Sequence, residues 1–138
     1  MENMIKIVLP EGYRFVKEED GNLILMPKQF KYPESLKECA KIIDVDYCSS
    51  YISGYKGNKI SYFQNLLICR DAYWKIAGDW CPDWDEETDK FTISNKCNKI
   101  YLNNTAWYSE VLAFPTAEMR DTFYDSFKNL IEQCKEFL

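Results

Sequence analysis

The sequence predicts an α+β fold in which an antiparallel sheet packs against about three helices. Two observations indicate it. Short apolar segments flanked by turn-forming residues lie near both ends of the chain, and longer stretches carry apolar residues at helical spacing. Apolar residues make up 46% of the 138 positions, and no linker divides them. We therefore expect a single domain, residues 1–138, that buries its own core.

The N-terminal part of the chain is predicted to form strands. Segments 4–9 and 13–17 are short and extended, and a turn-forming cluster at 18–22 precedes the apolar segment 23–26. The second and third of these segments should pair as a hairpin, which Pro27 ends.

Two helices are predicted next. Residues 35–38 have the Ser-x-x-Glu spacing of a capping box, and the apolar residues that follow indicate a short helix to about Ile43. Residues 44–58 have no regular pattern and are predicted as a loop. A wide apolar stripe over 60–77 predicts a longer helix, with Gly78 at the left-handed position beyond its end.

The C-terminal part is predicted to hold three strands and a long helix. Segments 91–93, 100–102 and 107–114 alternate with Asn-rich turns, a pattern typical of an antiparallel meander. After Pro115 and Thr116, apolar residues at helical spacing predict a C-terminal helix with one buried face.

The residue types exclude several kinds of chemistry. The chain has no histidine, which removes the commonest general base and the usual nitrogen ligand of zinc. Glycine-rich phosphate-binding motifs are also missing. The six cysteines are never separated by only two to four residues, so we expect no zinc site, and free thiols rather than disulfides. No metal and no cofactor is predicted.

Charge and hydropathy bear on location and partners. The net charge is −5, with Lys and Arg scattered between acidic residues, so binding to duplex nucleic acid is not favoured. The first twenty residues lack the uninterrupted apolar core of a signal peptide. The longest purely apolar stretch, 66–69, is far too short to span a bilayer, and no membrane association is expected. A cytoplasmic protein is predicted.

Three segments of the second half of the chain resemble a known group of proteins. They are 67–74 (LICRDAYW), 80–84 (WCPDW) and 113–121 (AFPTAEMRD), with a weaker likeness at 9–13 (LPEGY). The segments resemble small uncharacterised proteins encoded by phages, prophages and mobile elements of gut Bacteroides-type bacteria, although Cys81 replaces the basic residue expected there. No activity is established for that group. The resemblance implies a phage-associated accessory protein in the cytoplasm of a bacterial host.

Arg70 is a candidate binding residue because it interrupts the apolar stripe of the longer predicted helix. A charge in that position must be paired or must reach an edge. We favour a structural ion pair with an acid such as Asp83 or Asp79, with the guanidinium stacked on a tryptophan. The alternative is that Arg70 grips a carboxylate or phosphate of a ligand.

Three tryptophans lie close in sequence around the end of the same helix, and tryptophan and arginine are typical of interface hot spots. Two of the three are expected to pin the acidic loop 79–89 onto the core. The candidate binding set is Arg70, Trp74, Trp80, Asp83 and Trp84.

The leading functional hypothesis is a non-enzymatic, phage-associated module that binds a host or phage protein. A second class is a carboxylate-based enzyme, which would need a deep cleft lined by acids. Its candidates are the alternating carboxylates Asp83, Asp85, Glu87 and Asp89, whose spacing also resembles a calcium loop without the required glycine.

The first alternative is binding of single-stranded nucleic acid by stacking of bases on exposed rings. Tyr101, Trp107 and Tyr108 would form the platform. This hypothesis requires that nearby lysines share a face with the rings, since stacking without phosphate contacts is weak. The lysines in question are Lys90, Lys96 and Lys99.

Overall fold

The computed structural model describes residues 8–11, 13–27, 31–47 and 57–138. The chain divides into two compact units, residues 1–32 and 33–138. The prediction of one domain over 1–138 is not tested by this division and stays a prediction. Residues 4–7 of the strand predicted at 4–9 and most of the loop predicted at 44–58 lie outside the described residues, and Val8 and Leu9 form no strand.

The first unit contains the predicted hairpin. Strand β1 (Tyr13–Glu19) pairs antiparallel with β2 (Asn22–Pro27), and the register shifts once, between Phe15 and Lys17. Asp20 and Gly21 both have positive φ, the geometry of the two-residue turn that matches the twist of paired strands.

The second unit begins with the short helix α1 (Leu36–Ile43), which has the predicted cap. The Ser35 Oγ accepts the Glu38 N–H at 3.2 Å, and the Glu38 carboxylate accepts the Glu34 N–H at 3.1 Å. The helix ends at Asp44, which takes the left-handed conformation.

Helix α2 (Gly57–Ile76) begins three residues earlier than predicted and ends one residue earlier than predicted. Gly78 has a φ of 84°, so the left-handed position that the sequence assigned to it is confirmed. Asp79, with a φ of 56°, continues the turn that leads out of the helix.

Three antiparallel strands follow, β3 (Lys90–Lys96), β4 (Lys99–Thr105) and β5 (Leu112–Phe114). The α+β fold class with this sheet is confirmed, but the meander order is wrong. The strand order is β4-β3-β5, so β5 pairs with β3 instead of β4. Residues 107–111, predicted as part of the third strand, form no strand.

The connection from β4 to β5 explains this order. Because β4 and β5 lie on opposite sides of β3, residues 106–111 must cross β3. The Lys90 ammonium donates to the Ala106 carbonyl at 3.2 Å, which holds the crossing segment on the face that carries Lys90. Thr92 and Ser94 share that face and are buried.

Helix α3 (Ala117–Cys134) covers the other face of the sheet, and the three-residue 3-10 helix Lys135–Phe137 follows it. The Thr116 Oγ1 accepts the Met119 N–H at 3.2 Å and so caps α3. Phe127 has non-helical dihedrals, φ −119° and ψ 22°, which kink the helix within its buried face.

An aromatic cluster joins α2, β5 and α3. The fully buried Tyr73 ring meets Phe123 and Phe127 edge to face at centroid distances of 5.0 and 6.1 Å, and Phe114 lies 4.9 Å from Phe123. The Tyr73 hydroxyl donates to the Pro33 carbonyl at 2.9 Å, which satisfies its polar end inside the core.

No helix formed by the described residues is long and apolar enough to cross a lipid bilayer.

The five described cysteines are free thiols, and Cys48 lies outside the described residues. Cys39, Cys69 and Cys134 are buried, as expected for small apolar side chains on helices. A hydrogen bond with the Cys39 thiol, together with burial, raises the pKa of Cys69. Burial, and to a lesser degree Glu136, raises the pKa of Cys134 to about 11.

Replacing Phe123 with alanine tests the aromatic cluster. We expect Phe123→Ala to lower the free energy of unfolding by about 3–5 kcal/mol, because it leaves a cavity among packed rings. Asp125→Ala, an exposed change on the same helix, should shift it by less than about 0.5 kcal/mol. Chemical denaturation measures both, and equal losses for the two variants would contradict the placement of the core.

Thiol accessibility gives a second test. In a Cys48→Ser background at pH 8, Cys81 and Cys97 should react with Ellman's reagent at once, because both are exposed. The three buried thiols should react only on unfolding, since all three are enclosed in the core and burial also raises the pKa of Cys69 and of Cys134. The Cys81→Ser, Cys97→Ser variant should lose the fast phase. A fast phase that survives both changes would show that a helix cysteine is accessible.

Candidate functional site

Arg70 and Trp74 cover the outer edge of strand β5. The Arg70 Nη1 donates to the Val111 carbonyl at 3.1 Å, and the Trp74 indole N–H donates to the Ala113 carbonyl at 2.7 Å. The two side chains are one helical turn apart on α2, and the two carbonyls are alternate positions along the strand segment. The helix therefore supplies hydrogen bonds where a further strand would otherwise pair.

Each nitrogen of the Arg70 guanidinium donates a hydrogen bond within the chain. Its Nε and Nη2 donate to the Asp71 Oδ1 at 3.0 and 2.8 Å. The Arg70 Cζ lies 4.1 Å from the centre of the Trp74 ring. The predicted ion pair and stacking are therefore present, but the acid was predicted wrongly, because the partner is the adjacent Asp71 and not Asp83 or Asp79. These contacts support the structural interpretation of Arg70.

Trp80 extends the same stack of side chains. Its ring meets Trp74 edge to face with centroids 5.7 Å apart, and its backbone N–H donates to the Trp74 carbonyl at 3.0 Å. Three of the five candidate residues, Arg70, Trp74 and Trp80, thus form one contiguous group at the end of α2. The interaction between the two rings holds the start of the acidic loop against the helix.

Trp84 and Asp83 lie in a different environment. The Trp84 ring faces the Lys90 ammonium at 5.3 Å, while the Asp83 Oδ1 accepts the Asp85 N–H at 3.0 Å and shapes the turn. No hydrogen bond or ring contact described in the structure joins these two residues to the Arg70 group. The candidate binding set is therefore divided between two places, and its role in binding stays a prediction.

Lys90 is an unusual residue, since it is only 3% exposed and none of the described acidic side chains forms an ion pair with it. Its ammonium donates to the Glu86 carbonyl at 2.8 Å and to the Ala106 carbonyl, and it also faces the Trp84 ring. Backbone carbonyls and a ring thus replace water around the charge. Lys90 ties the acidic loop and the crossing segment 106–111 to the first residue of β3.

The acidic loop remains exposed. Asp83, Asp85, Glu87 and Asp89 all face solvent, and the Asp89 carboxylate accepts a hydrogen bond from the Asn104 amide at 2.9 Å. Within the described ranges, no three Cys, Asp or Glu side chains are placed to hold a metal ion. The carboxylate-enzyme hypothesis stays a prediction.

The aromatic residues of the alternative platform are exposed. Trp107 is 55% and Tyr108 77% exposed, and the Thr105 Oγ1 accepts the backbone N–H of both, at 3.3 and 3.2 Å. The threonine cap fixes the backbone that presents the two rings. Tyr101, 47% exposed, lies on β4 opposite Ser94, four residues before the threonine.

The three lysines expected near that platform differ in their exposure. Lys90 is buried, whereas Lys96 and Lys99 pair across the turn between β3 and β4, on the sheet face that also carries Tyr101. Burial raises the pKa of the Glu110 carboxyl, and the charge of Lys96 partly offsets that increase. Lys90 lies on that face as well but is buried, so only Lys96 and Lys99 of the three are exposed on the face that carries Tyr101.

A groove of about 350 Å³ lies between the end of α1 and the middle of α2. It is mostly apolar and includes two acids, and it contains none of the carboxylates of the acidic loop. Its lining residues are Ile43, Val45, Asp46, Gln64, Leu67, Ile68 and Asp71.

Sequence reasoning missed a second arginine that repeats the Arg70 arrangement. The Arg120 Nε donates to the Asp121 carboxylate at 2.9 Å, its Nη1 donates to the Asn103 carbonyl at 3.0 Å, and its guanidinium lies over the Phe91 ring at 5.6 Å. The signal was present in the sequence, because Arg-Asp occurs at 70–71 and again at 120–121. In both cases a helix arginine donates to a backbone carbonyl in or directly before a strand, and the adjacent aspartate neutralises its charge.

Comparisons of the chain with protein-family models, with curated proteins and with solved structures gave no match. The resemblance to proteins of phages and mobile elements therefore stays a prediction.

Trp74→Phe tests the covering of the β5 edge. The change keeps an aromatic ring and removes the indole N–H, so the Ala113 carbonyl loses its donor, and we expect a loss of about 1–3 kcal/mol in unfolding free energy. Trp80→Phe is the matched control, because no hydrogen bond of its indole contributes to this edge, and it should cost less. Arg70→Met should destabilise the chain by a similar amount, since it frees the Val111 carbonyl and Asp71 together. If Trp74→Phe and Arg70→Met both keep the unfolding free energy of the parent chain, the two side chains do not stabilise the fold.

Proposed function

We propose that the chain is a non-enzymatic protein-binding module that acts as a phage-associated accessory protein in the cytoplasm of a bacterial host. Its partner is a host or phage protein. The observation that supports this most directly is the pair Trp107 and Tyr108, two large rings that face solvent on a backbone held by Thr105. The phage context derives from the sequence resemblance alone.

Exposed tryptophan and tyrosine are the residues that protein interfaces concentrate at their energetic centres. They bury a large area and lose little side-chain entropy, since each has only two rotatable bonds. The two hydrogen bonds to Thr105 fix the backbone beneath them before a partner arrives, which lowers the ordering cost of association. The polar atoms of Arg70, by contrast, are already bonded within the chain.

A protein partner is favoured over single-stranded nucleic acid because of the positions of the cations. Arg70 and Arg120 are each paired with an adjacent aspartate, and Lys90 is enclosed by carbonyls. Lys96 shares its surroundings with Glu110. A chain of net charge −5 with its cations arranged in this way offers little to a phosphate backbone. The alternative retains some support from Tyr101, which shares a face with Lys96 and Lys99.

Capture from lysate of a gut Bacteroides-type bacterium tests the proposal. A tagged chain should retain a protein partner equally well with and without nuclease treatment. The Trp107→Ala, Tyr108→Ala double variant should lose at least about tenfold in recovery, as expected when two central aromatic contacts are removed. Tyr13→Ala, which removes an exposed ring from β1, is the matched control and should bind like the parent.

Two outcomes would contradict the proposal. Loss of all co-eluting material after nuclease treatment would favour the nucleic-acid alternative, and retention on heparin at low salt would agree with it. Equal recovery by the parent and the double variant would show that recognition does not use Trp107 and Tyr108. Circular dichroism of each variant checks that the fold is unchanged.

A further inference from the structure

We propose that the outer edge of strand β4 accepts an extended segment of a partner protein as an additional antiparallel or parallel strand. This inference builds on the proposed protein-binding function and names the way in which part of the partner binds. It derives from the backbone groups of Ile100 and Leu102, which point away from β3.

The register shows which backbone groups point outward. Strands β3 and β4 are joined by the two-residue turn Cys97–Asn98, with both residues at positive φ, and such a turn closes on a hydrogen-bonded pair, here Lys96 with Lys99. Because hydrogen-bonded pairs alternate, Tyr101 and Asn103 also bond to β3, and Ile100, Leu102 and Asn104 direct their N–H and C=O groups away from it.

The other side of β3 confirms this alternation independently. Thr92 lies opposite Asn103 and directs its backbone N–H and C=O toward β4. Its β5 partner Ala113 must therefore point its carbonyl away from the sheet. The Ala113 carbonyl does so, since it accepts the Trp74 indole N–H. The same register therefore accounts for the hydrogen bonds at both edges.

The two edges of the sheet differ in how they are protected. At β5, Arg70 and Trp74 occupy the outward carbonyls. At β4, the Asn104 N–H donates to the Asn103 side chain at 2.9 Å, but in the described part of the chain no partner meets the outward groups of Ile100 and Leu102. The pairing with β3 runs over seven residue pairs without a bulge, and β4 contains no proline. Such an edge is a template for strand addition.

The side chains along β4 define the chemistry of the incoming segment. Leu102, 42% exposed, lies on one face, and Tyr101 lies on the other with Lys99 two residues before it. Lys96 faces Lys99 across the turn and adds a second positive charge at that end. The complementary strand places apolar side chains beside Leu102 and Tyr101 and a carboxylate near the two lysines. The occupant is therefore an extended, apolar segment with an acidic residue at one end.

A second copy of the chain fits this edge less well. If β4 paired antiparallel with itself about Leu102, each Ile100 would lie opposite Asn104 of the other copy. The Asn104 N–H is already bonded to Asn103, so the pairing would lose a hydrogen bond at both ends. A second copy also brings no acid to Lys96 or Lys99, because its own β4 contains none.

A capped synthetic peptide, acetyl-Glu-Val-Thr-Val-Thr-Val-amide, serves as the probe for the full chain labelled with ¹⁵N. Titration should shift the amide signals along β4, and saturating peptide should slow hydrogen exchange of the Ile100 and Leu102 amides at least about tenfold. Two peptides methylated on alternate backbone nitrogens form a matched pair. One set of methyl groups blocks the bonds to β4 and should weaken binding at least about tenfold, whereas the other set faces away and should leave binding unchanged.

Variants of the chain complete the test. Leu102→Lys places a charge on the edge and should weaken peptide binding at least about tenfold, while Lys128→Ala, an exposed change on α3, should not. If Leu102→Lys fails to fold, the pair of methylated peptides decides the question alone. Unchanged exchange of Ile100 and Leu102 at saturation, or equal binding of both methylated peptides, would overturn the inference. A dimer of the unliganded chain that Leu102→Lys dissociates would also overturn it, in favour of self-pairing.

The results separate this inference from the proposed function. If the peptide fails to bind while partner capture still depends on Trp107 and Tyr108, strand addition is wrong and the protein-binding module stands. If the peptide slows hydrogen exchange of the Ile100 and Leu102 amides, but the Trp107→Ala, Tyr108→Ala variant recovers the partner like the parent, the edge is a binding site and the proposed recognition surface is wrong.

Discussion

The hydrogen bonds from Arg70 and Trp74 to the β5 segment are the contacts on which the arrangement of residues 57–138 depends. Strand β5 has only three residues, and pairing with β3 satisfies only the inner side of so short a strand. Helix α2 bonds the outer carbonyls of Val111 and Ala113, so the strand is enclosed on both sides. The same contact brings Tyr73, which directly precedes Trp74 on α2, into the cluster with Phe114 and Phe123. Edge protection and core packing are thus coupled through one helix.

Local features of this fold could be predicted from the sequence because their causes lie within a few residues. The Ser35 cap, the left-handed Gly78 and the hairpin turn at Asp20–Gly21 each follow from side-chain or backbone preferences at the position itself. The apolar stripe of α3 indicated the buried face, since Met119, Phe123 and Phe127 are buried. On α2 the predicted stripe was only partly right, because its flanking residues Leu66 and Tyr73 are buried whereas Ile60 is 43% exposed. Burial of Cys39, Cys69 and Cys134 was expected from their apolar positions on the three predicted helices.

The strand order and the partner of Arg70 could not be predicted, because both depend on contacts between distant residues. A turn at 103–104 and a third apolar segment are compatible with a meander, and what excludes it is the path of 106–111 across β3, held by Lys90. Lys90 showed no sign of burial in the sequence, since its acceptors are backbone carbonyls. For Arg70, the spacing of the apolar stripe predicted the need for a counter-charge, and only the folded geometry selected Asp71. The candidate binding residues were therefore identified as one group, whereas the structure divides them between the β5 edge and the acidic loop.

The two Arg-Asp dipeptides have a consequence for the way charge is buried in this chain. Arg70 and Arg120 each carry their counter-ion as the next residue, so the two charges are never far apart, even in an extended chain. When α2 docks on β5, or α3 on β3 and β4, each arginine enters the contact as one half of an electrically neutral unit. Folding then desolvates a preassembled dipole, and the long-range attraction that ions in solution screen has little part in it. The stability that these arginines contribute is consequently insensitive to ionic strength, unlike that of ion pairs between residues far apart in sequence.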